Sequence, residues 1–247
     1  MMKRIKLTVA YDGTNYAGYQ VQPNGNTIQA EVEAVLTRMH SRAVKVVASG
    51  RTDARVHARG QVLHFDTHLS MPADRFVKAL NAMLPDDIHV RAAEEADASF
   101  HARYGAKRKE YRYFFRSNAD PFRRHHAVTV TYTLDHERMR QALRLLVGTH
   151  DFTSFSVTKA EVEDRIRTIY EAELVEAGDE MYFRFVGSGF LYNQVRIMVG
   201  TLLEVGRGKY EPADVSRMLA SKDRRSAGIT APPHGLYLWN VNYEKVD

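Results

Sequence analysis

Between Val44 and Phe65 the chain carries one acidic residue, Asp53, in the run Ser49-Gly-Arg-Thr-Asp-Ala-Arg-Val-His57, with Arg51, Arg55 and Arg59 around it. Nearby positive charge favours an ionised carboxylate and lowers its pKa. Such a group suits a nucleophile or a base better than a general acid. Gly50 and the Thr-Asp pair predict a turn between two strands, from which a side chain can project into a cleft. An Asx-turn residue paired with a neighbouring arginine satisfies the same pattern. Charge context therefore leaves a structural role open beside a catalytic one.

Three further segments hold residues with chemical potential. Along Phe100–Arg116 the cations Arg103, Lys107, Arg108, Lys109, Arg112 and Arg116 interleave with Tyr104, Tyr111, Tyr113, Phe114 and Phe115. Phosphates attract such cations, and an unstacked base lies flat on an aromatic face. A half-buried edge strand with a solvated basic face reads the same way. Arg123-Arg-His-His126 extends the positive stretch. In Gly187–Gly200 the glycines allow a tight turn from strand into helix. Arg196 then falls one helical turn beyond Tyr192, inside an apolar run, where a cation needs an anionic partner, whether structural or functional. Ala231-Pro-Pro-His-Gly-Leu-Tyr-Leu238 reads as a rigid turn entering a last strand.

The elements that must position these residues follow from periodicity. Alternation at Ile5, Leu7 and Val9 predicts a strand. Asn26-Thr27 offers an N-cap to a helix bearing Ile28, Val32, Leu36 and Met39. Strand-like runs follow at Val44–Ala48 and Gln61–Asp66. Pro72 opens a helix with Phe76, Leu80, Met83 and Leu84 on one face, and Ile88–Ala92 is extended again, giving β-α-β-β-α-β. The second half approximates that order. It has strands through Tyr111–Phe115 and Val128–Tyr132, and a helix capped by Asp135 and ended by Gly148. Strands at Ile166–Val175 and Tyr182–Val186, a helix through Leu191–Leu202, a short helix near Ala213–Ala220 and a strand at Leu236–Tyr243 complete it. Two such halves predict an α+β protein, with helices on one side of a mainly antiparallel sheet. Joined into one extended mixed sheet, they would leave a broad opposite face and a catalytic cleft between them. The boundary is expected near Ala98–Lys107, dividing the chain into residues 1–105 and 106–247.

Composition narrows the chemistry. The 247 residues include no cysteine, which removes disulfides, thiolate zinc sites and cysteine nucleophiles. His57, His64 and His68 form no H-E-x-x-H helix, and no P-loop or dinucleotide-binding glycine pattern is present. No metal or cofactor is therefore expected. The net charge of +5 fits a polyanionic partner. No stretch approaches the roughly 20 apolar residues that cross a bilayer, and nothing near the start reads as a secretory segment, so no membrane is expected and a cytoplasmic location is. Two competing readings are a non-catalytic RNA-binding protein and a metal-dependent nuclease. The lack of a carboxylate cluster counts against the second.

Taken together, ordered blocks of the chain resemble the TruA family of tRNA pseudouridine synthases. They are Tyr11-Asp-Gly-Thr-Asn-Tyr-Ala-Gly-Tyr-Gln-Val-Gln-Pro23, Gly50-Arg-Thr-Asp53, Asn81-Ala-Met-Leu-Pro85, Phe100-His-Ala-Arg103, His150-Asp-Phe152, Phe190–Gly206 and Ala227–Pro232. The chain departs from the family at Arg55, where glycine is usual, and at Tyr19, where tryptophan is common. The resemblance implies cofactor-free isomerisation of uridine to pseudouridine at positions 38 to 40 of the tRNA anticodon stem-loop, on a flipped-out base. It implies a homodimer binding tRNA across both subunits. It further implies that Asp53 is the nucleophile and that Arg51 fills the space the base vacates. Tyr111 would stack on the uracil and could take part in proton transfer, Arg196 would be the buried cation paired with Asp53, and Leu236 an apolar wall.

Overall fold

Strand β1 (Lys3–Tyr11) buries every second side chain, with Ile5, Leu7 and Val9 fully enclosed, as a half-buried strand requires. Helix α1 (Ile28–His40) starts where the Thr27 side chain accepts a hydrogen bond from the Ala30 amide, and it turns Val32 and Leu36 inward. Strands β2 (Val47–Ala48) and β3 (His57–Thr67), helix α2 (Ala73–Asn81) and strand β4 (Ile88–Ala96) follow. Both helices reach β3. His40 Nε2 meets Thr67 Oγ1 at 2.7 Å, and the Phe76 ring packs edge-on to Phe65 at 5.6 Å. The computed structural model describes residues 2–157, 164–178 and 180–244.

The chain forms two compact units. The first holds the described residues up to Lys107 together with those from Tyr237 onward; the second spans Arg108–Leu236. The last strand, β10 (Leu236–Asn242), thus belongs from Tyr237 onward to the first unit. Pairing between strands so distant in sequence leaves no trace in periodicity. In the first unit the strand order is β4-β1-β3-β10, with β2 also on β3. All pairings are antiparallel except β10 on β3, which sets Tyr237 opposite His57 and Leu238 opposite Ala58.

The second unit comprises β5 (Arg108–Arg116), β6 (Val128–Thr129), α3 (His136–Leu146), β7 (Gly148–Asp151), β8 (Ile166–Ala177), β9 (Glu180–Gly187), α4 (Gln194–Gly206) and α5 (Asp214–Ser221). Its strands run β5-β9-β8-β7, antiparallel, with β6 parallel to β5. The expected α+β class with mainly antiparallel pairing is thus observed. Every residue of α4 except Arg196 is buried, as befits a helix that is apolar all round. Two backbone passages lock α4 in place. A Cβ on Gly200 would lie 1.9 Å from the Ile229 carbonyl oxygen, and the Gly228 amide donates to Thr201 Oγ1 at 2.9 Å.

Several expected elements change length. The 44–48 run is a strand only at its end, because side chains of α1 capture its amides: Val44 N donates to Thr37 Oγ1 and Val46 N to Glu33 Oε1. Strand β6 stops beside Arg116, where β5 itself ends. Gly148, with φ at +115°, opens β7 rather than merely closing a helix. The turn into α4 relies on Asn193, left-handed at φ +61°, and not on a left-handed glycine. Gly187 serves close approach instead, since a Cβ there would meet the Thr168 carbonyl at 2.9 Å.

Candidate active site

Asp53 stands half-buried on the loop between β2 and β3, as the turn signal predicts, with Arg51 and Arg55 exposed on either side. The loop is held from behind by the segment that follows β1. Tyr19 N donates to Thr52 O at 3.0 Å, and Arg55 N donates to Tyr16 O at 3.2 Å. Gly13 and Gly18 permit the approach. A Cβ on Gly13 would fall 2.1 Å from Val56 O, and one on Gly18, where φ is +113°, 2.9 Å from Thr52 O. Within the loop, Val56 N closes a turn onto Asp53 O at 3.1 Å.

Beneath it lies a buried polar network. Gln61 Nε2 donates to Gly50 O at 2.9 Å, its Oε1 accepts from Ser49 Oγ at 2.7 Å, and Tyr11 and Thr52 share a hydroxyl hydrogen bond of 2.8 Å. Burial pushes the Tyr11 phenol up to about 12, against hydrogen bonds from Thr52 and Gln61, so it stays neutral. Satisfied networks of this kind rigidify what they support. On the other flank His57 Nδ1 lies 3.1 Å from both Asp12 Oδ1 and Gly13 N. With a proton it donates to the carboxylate; without one it accepts from the amide. Burial works to raise the Asp12 pKa, but hydrogen bonds from His57 and Thr14 outweigh it and hold the carboxyl well below its ordinary value. The His57 ring stacks on Tyr237 of β10 at 4.6 Å. Tyr11, Ser49, Gln61 and the Asp12–His57 pair were not singled out as site residues by sequence. Tyr11 and Asp12 do open the first block that resembles the family, and Gln61 shows as a polar side chain inside a strand-like run.

Arg55 adopts φ +64°, so the turn is kept with an arginine where the resemblance leads one to expect glycine. A left-handed L-residue costs about 1–2 kcal/mol, and glycine loses about 0.5–1 kcal/mol in chain entropy. Arg55→Gly is therefore expected to raise stability by up to about 1 kcal/mol, or roughly 2–4 °C in a thermal melt, whereas Arg55→Val lowers it. A glycine variant that melts below the parent would refute this account of the turn. At the other departure, the Tyr19 hydroxyl is buried with no hydrogen-bond partner among the described residues.

Tyr111, Arg196 and Leu236 belong to the second unit. Tyr111 sits on β5, buried, with Phe190 edge-on at 5.1 Å. Arg196 projects from the first turn of α4. Its Nε donates to Ala231 O at 2.7 Å and its Nη1 to Asn193 Oδ1 at 2.9 Å. Its charge acts on Tyr113, whose pKa burial raises and Arg196 lowers. Leu236 is buried where β10 begins. The basic-aromatic strand divides in two. Arg108, Arg112 and Arg116 of β5 are tied to Glu171, Glu110 and Asp120, so these three cations are neutralised within the unit. Arg103 and Lys107, before β5, have no acidic partner among the described residues.

A family model described as tRNA pseudouridine synthase matches residues 7–105 and 142–244. Over 246 residues the chain is 79% identical to tRNA pseudouridine synthase A of Exiguobacterium sp. strain AT1b, covering 100% of both. It is 60% identical over 247 residues to the enzyme of that name from Geobacillus kaustophilus, covering 99% of this chain and 96% of the relative. It is 55% identical over 245 residues to that from Bacillus subtilis strain 168, covering 98% and 99%. With matches at this level along its whole length, the chain belongs to the tRNA pseudouridine synthase A family.

Proposed function

We propose that the chain isomerises uridine to pseudouridine at positions 38 to 40 of the tRNA anticodon stem-loop, in the cytoplasm, with Asp53 as the nucleophile. The reaction breaks the bond between N1 of uracil and C1′ of ribose, rotates the base, and joins C5 to C1′. The C5 hydrogen leaves as a proton while N1 gains one, so the sum is an isomerisation that consumes nothing. The target lies in a stem and must be flipped out, at a cost of a few kcal/mol. Arg51 on the same loop is assigned to the vacated space, Tyr111 to stacking on the uracil, and Leu236 to an apolar wall. Arg196 is assigned as counter-charge to the carboxylate. A homodimer binding one tRNA across both subunits completes the reading.

The observation that carries it is the mounting of Asp53. Main-chain bonds, two glycine contacts and a buried network fix the loop from behind, while the carboxylate itself stays partly open. Preorganisation of this kind is what positioned chemistry requires. Purified protein should release tritium from 5-tritiated uridine in unmodified tRNA, with EDTA present. Pseudouridine mapping should then find the product at positions 38 to 40. Wild-type protein that releases none from any tRNA would end the proposal.

A further inference from the structure

Beyond β4 the chain crosses back over the first unit and makes a tight turn at residues 101–105 that is held at every side. Arg4 grips Asp66 through Nε and Nη2 at 2.8 and 2.9 Å, and its Nη1 donates to Ala98 O and Phe100 O. Ala102 N donates to His64 Nδ1 at 3.1 Å, and Ala102 O accepts from the Tyr243 hydroxyl at 2.7 Å. Gly105 N returns to His101 O at 2.8 Å, and His101 Nδ1 accepts from the amides of Arg103 and Tyr104. Burial, with Arg4 and His101 nearby, pushes the His64 imidazole down to about 4. It is therefore a neutral acceptor at physiological pH.

This turn presents an aromatic ring to solvent. Tyr104 is 75% exposed, the only aromatic among the exposed large hydrophobic residues described in the first unit. Its ring leans on His101 at 4.4 Å, His101 meets His64 at 5.1 Å, His64 meets Phe100 at 5.8 Å, and Phe100 meets Tyr243 at 4.9 Å. A ladder of rings thus leads from the interior to one open face. The Arg103 guanidinium lies 5.7 Å from the Tyr104 centroid, and Lys107 is exposed on the same segment. Neither cation is neutralised by an acidic group among the described residues, in contrast to those of β5. A rigid aromatic face beside uncompensated positive charge complements a base and its phosphates.

We propose that Tyr104, braced by His101, is a stacking platform for an unpaired base of the RNA substrate, with Arg103 and Lys107 serving the adjoining phosphates. The platform rests on the functional reading above for the identity of the RNA, but its test does not depend on turnover. Binding of unmodified tRNA is measured by fluorescence anisotropy for Tyr104→Leu, Tyr104→Phe, Tyr104→Trp and Lys107→Gln. Leucine keeps an apolar contact for His101 without a π face, so binding should weaken about tenfold, within the range of one lost stack. Phenylalanine and tryptophan should bind within twofold of the parent. Lys107→Gln should flatten the dependence of log Kd on log salt by roughly 0.7–0.9. Leucine binding as tightly as the parent, or phenylalanine losing as much as leucine, would overturn the platform. So would a changed oligomeric state in the leucine variant, which would assign Tyr104 to a contact between copies. Wild-type protein that binds tRNA but makes no pseudouridine would defeat the functional reading alone.

Discussion

An Asp53→Asn chain is expected to form no measurable pseudouridine, a loss of at least about 10⁴-fold in turnover, or about 5.5 kcal/mol of barrier. Asparagine keeps the shape and the hydrogen-bonding reach of the side chain but cannot attack as an anion. The main-chain bonds that hold the loop are untouched by the substitution. Tyr16 O, Tyr19 N and the Val56 amide bond to backbone atoms of Thr52, Asp53 and Arg55, and none of these bonds uses the carboxylate. The variant should accordingly melt within about 2 °C of the parent and still bind tRNA. Single-turnover assays on tritiated tRNA, beside a thermal melt, read both quantities. Turnover retained within tenfold would remove Asp53 from the nucleophile's role, and turnover lost together with the fold would make it structural.

Gly200→Ala should be the most damaging single methyl in the second unit. Its Cβ would sit 1.9 Å from Ile229 O and 2.9 Å from Ile229 C, contacts that only backbone movement relieves. Overpacking of this severity costs about 3 kcal/mol or more, which for a chain of this size is roughly 6–12 °C in Tm. The displaced segment carries Ala231, whose carbonyl holds Arg196 Nε, so activity should fall further than stability alone explains. Gly189→Ala is the matched control, since its Cβ would meet only the Arg167 side chain, at 3.9 Å. Equal melting temperatures for the two variants would refute the close-packing account.

Elements with strong local signals were legible in the sequence. The Thr27 and Asp135 caps start α1 and α3 as expected, and the alternation of Tyr111, Tyr113 and Phe115 marks β5. Elements decided by distant partners were not. Strand β7 has no apolar alternation to reveal it, and the 44–48 run lost its amides to side chains of α1. The loop carrying Asp53 was visible as a turn, but its supports were not. Gly13 and Gly18 act through what a missing Cβ allows, and Gln61 looks like one polar residue in a strand until its neighbours are placed. The charged stripe misled in part, because one of the acids that neutralise it, Glu171, comes from a strand far along the chain, while Glu110 and Asp120 lie close by in sequence.

The parallel pairing of β10 with β3 bears on how the protein is made. Tyr237 and Leu238 lie opposite His57 and Ala58, the first residues after the loop that carries Asp53. During translation the opening hundred residues emerge with that stretch of β3 lacking a neighbour on one side, an exposed edge prone to mispairing. It stays so until the whole second unit has left the ribosome. The nascent first unit therefore cannot complete its sheet until β10 has been made. Pairing across so long a stretch of chain raises the contact order, which slows folding.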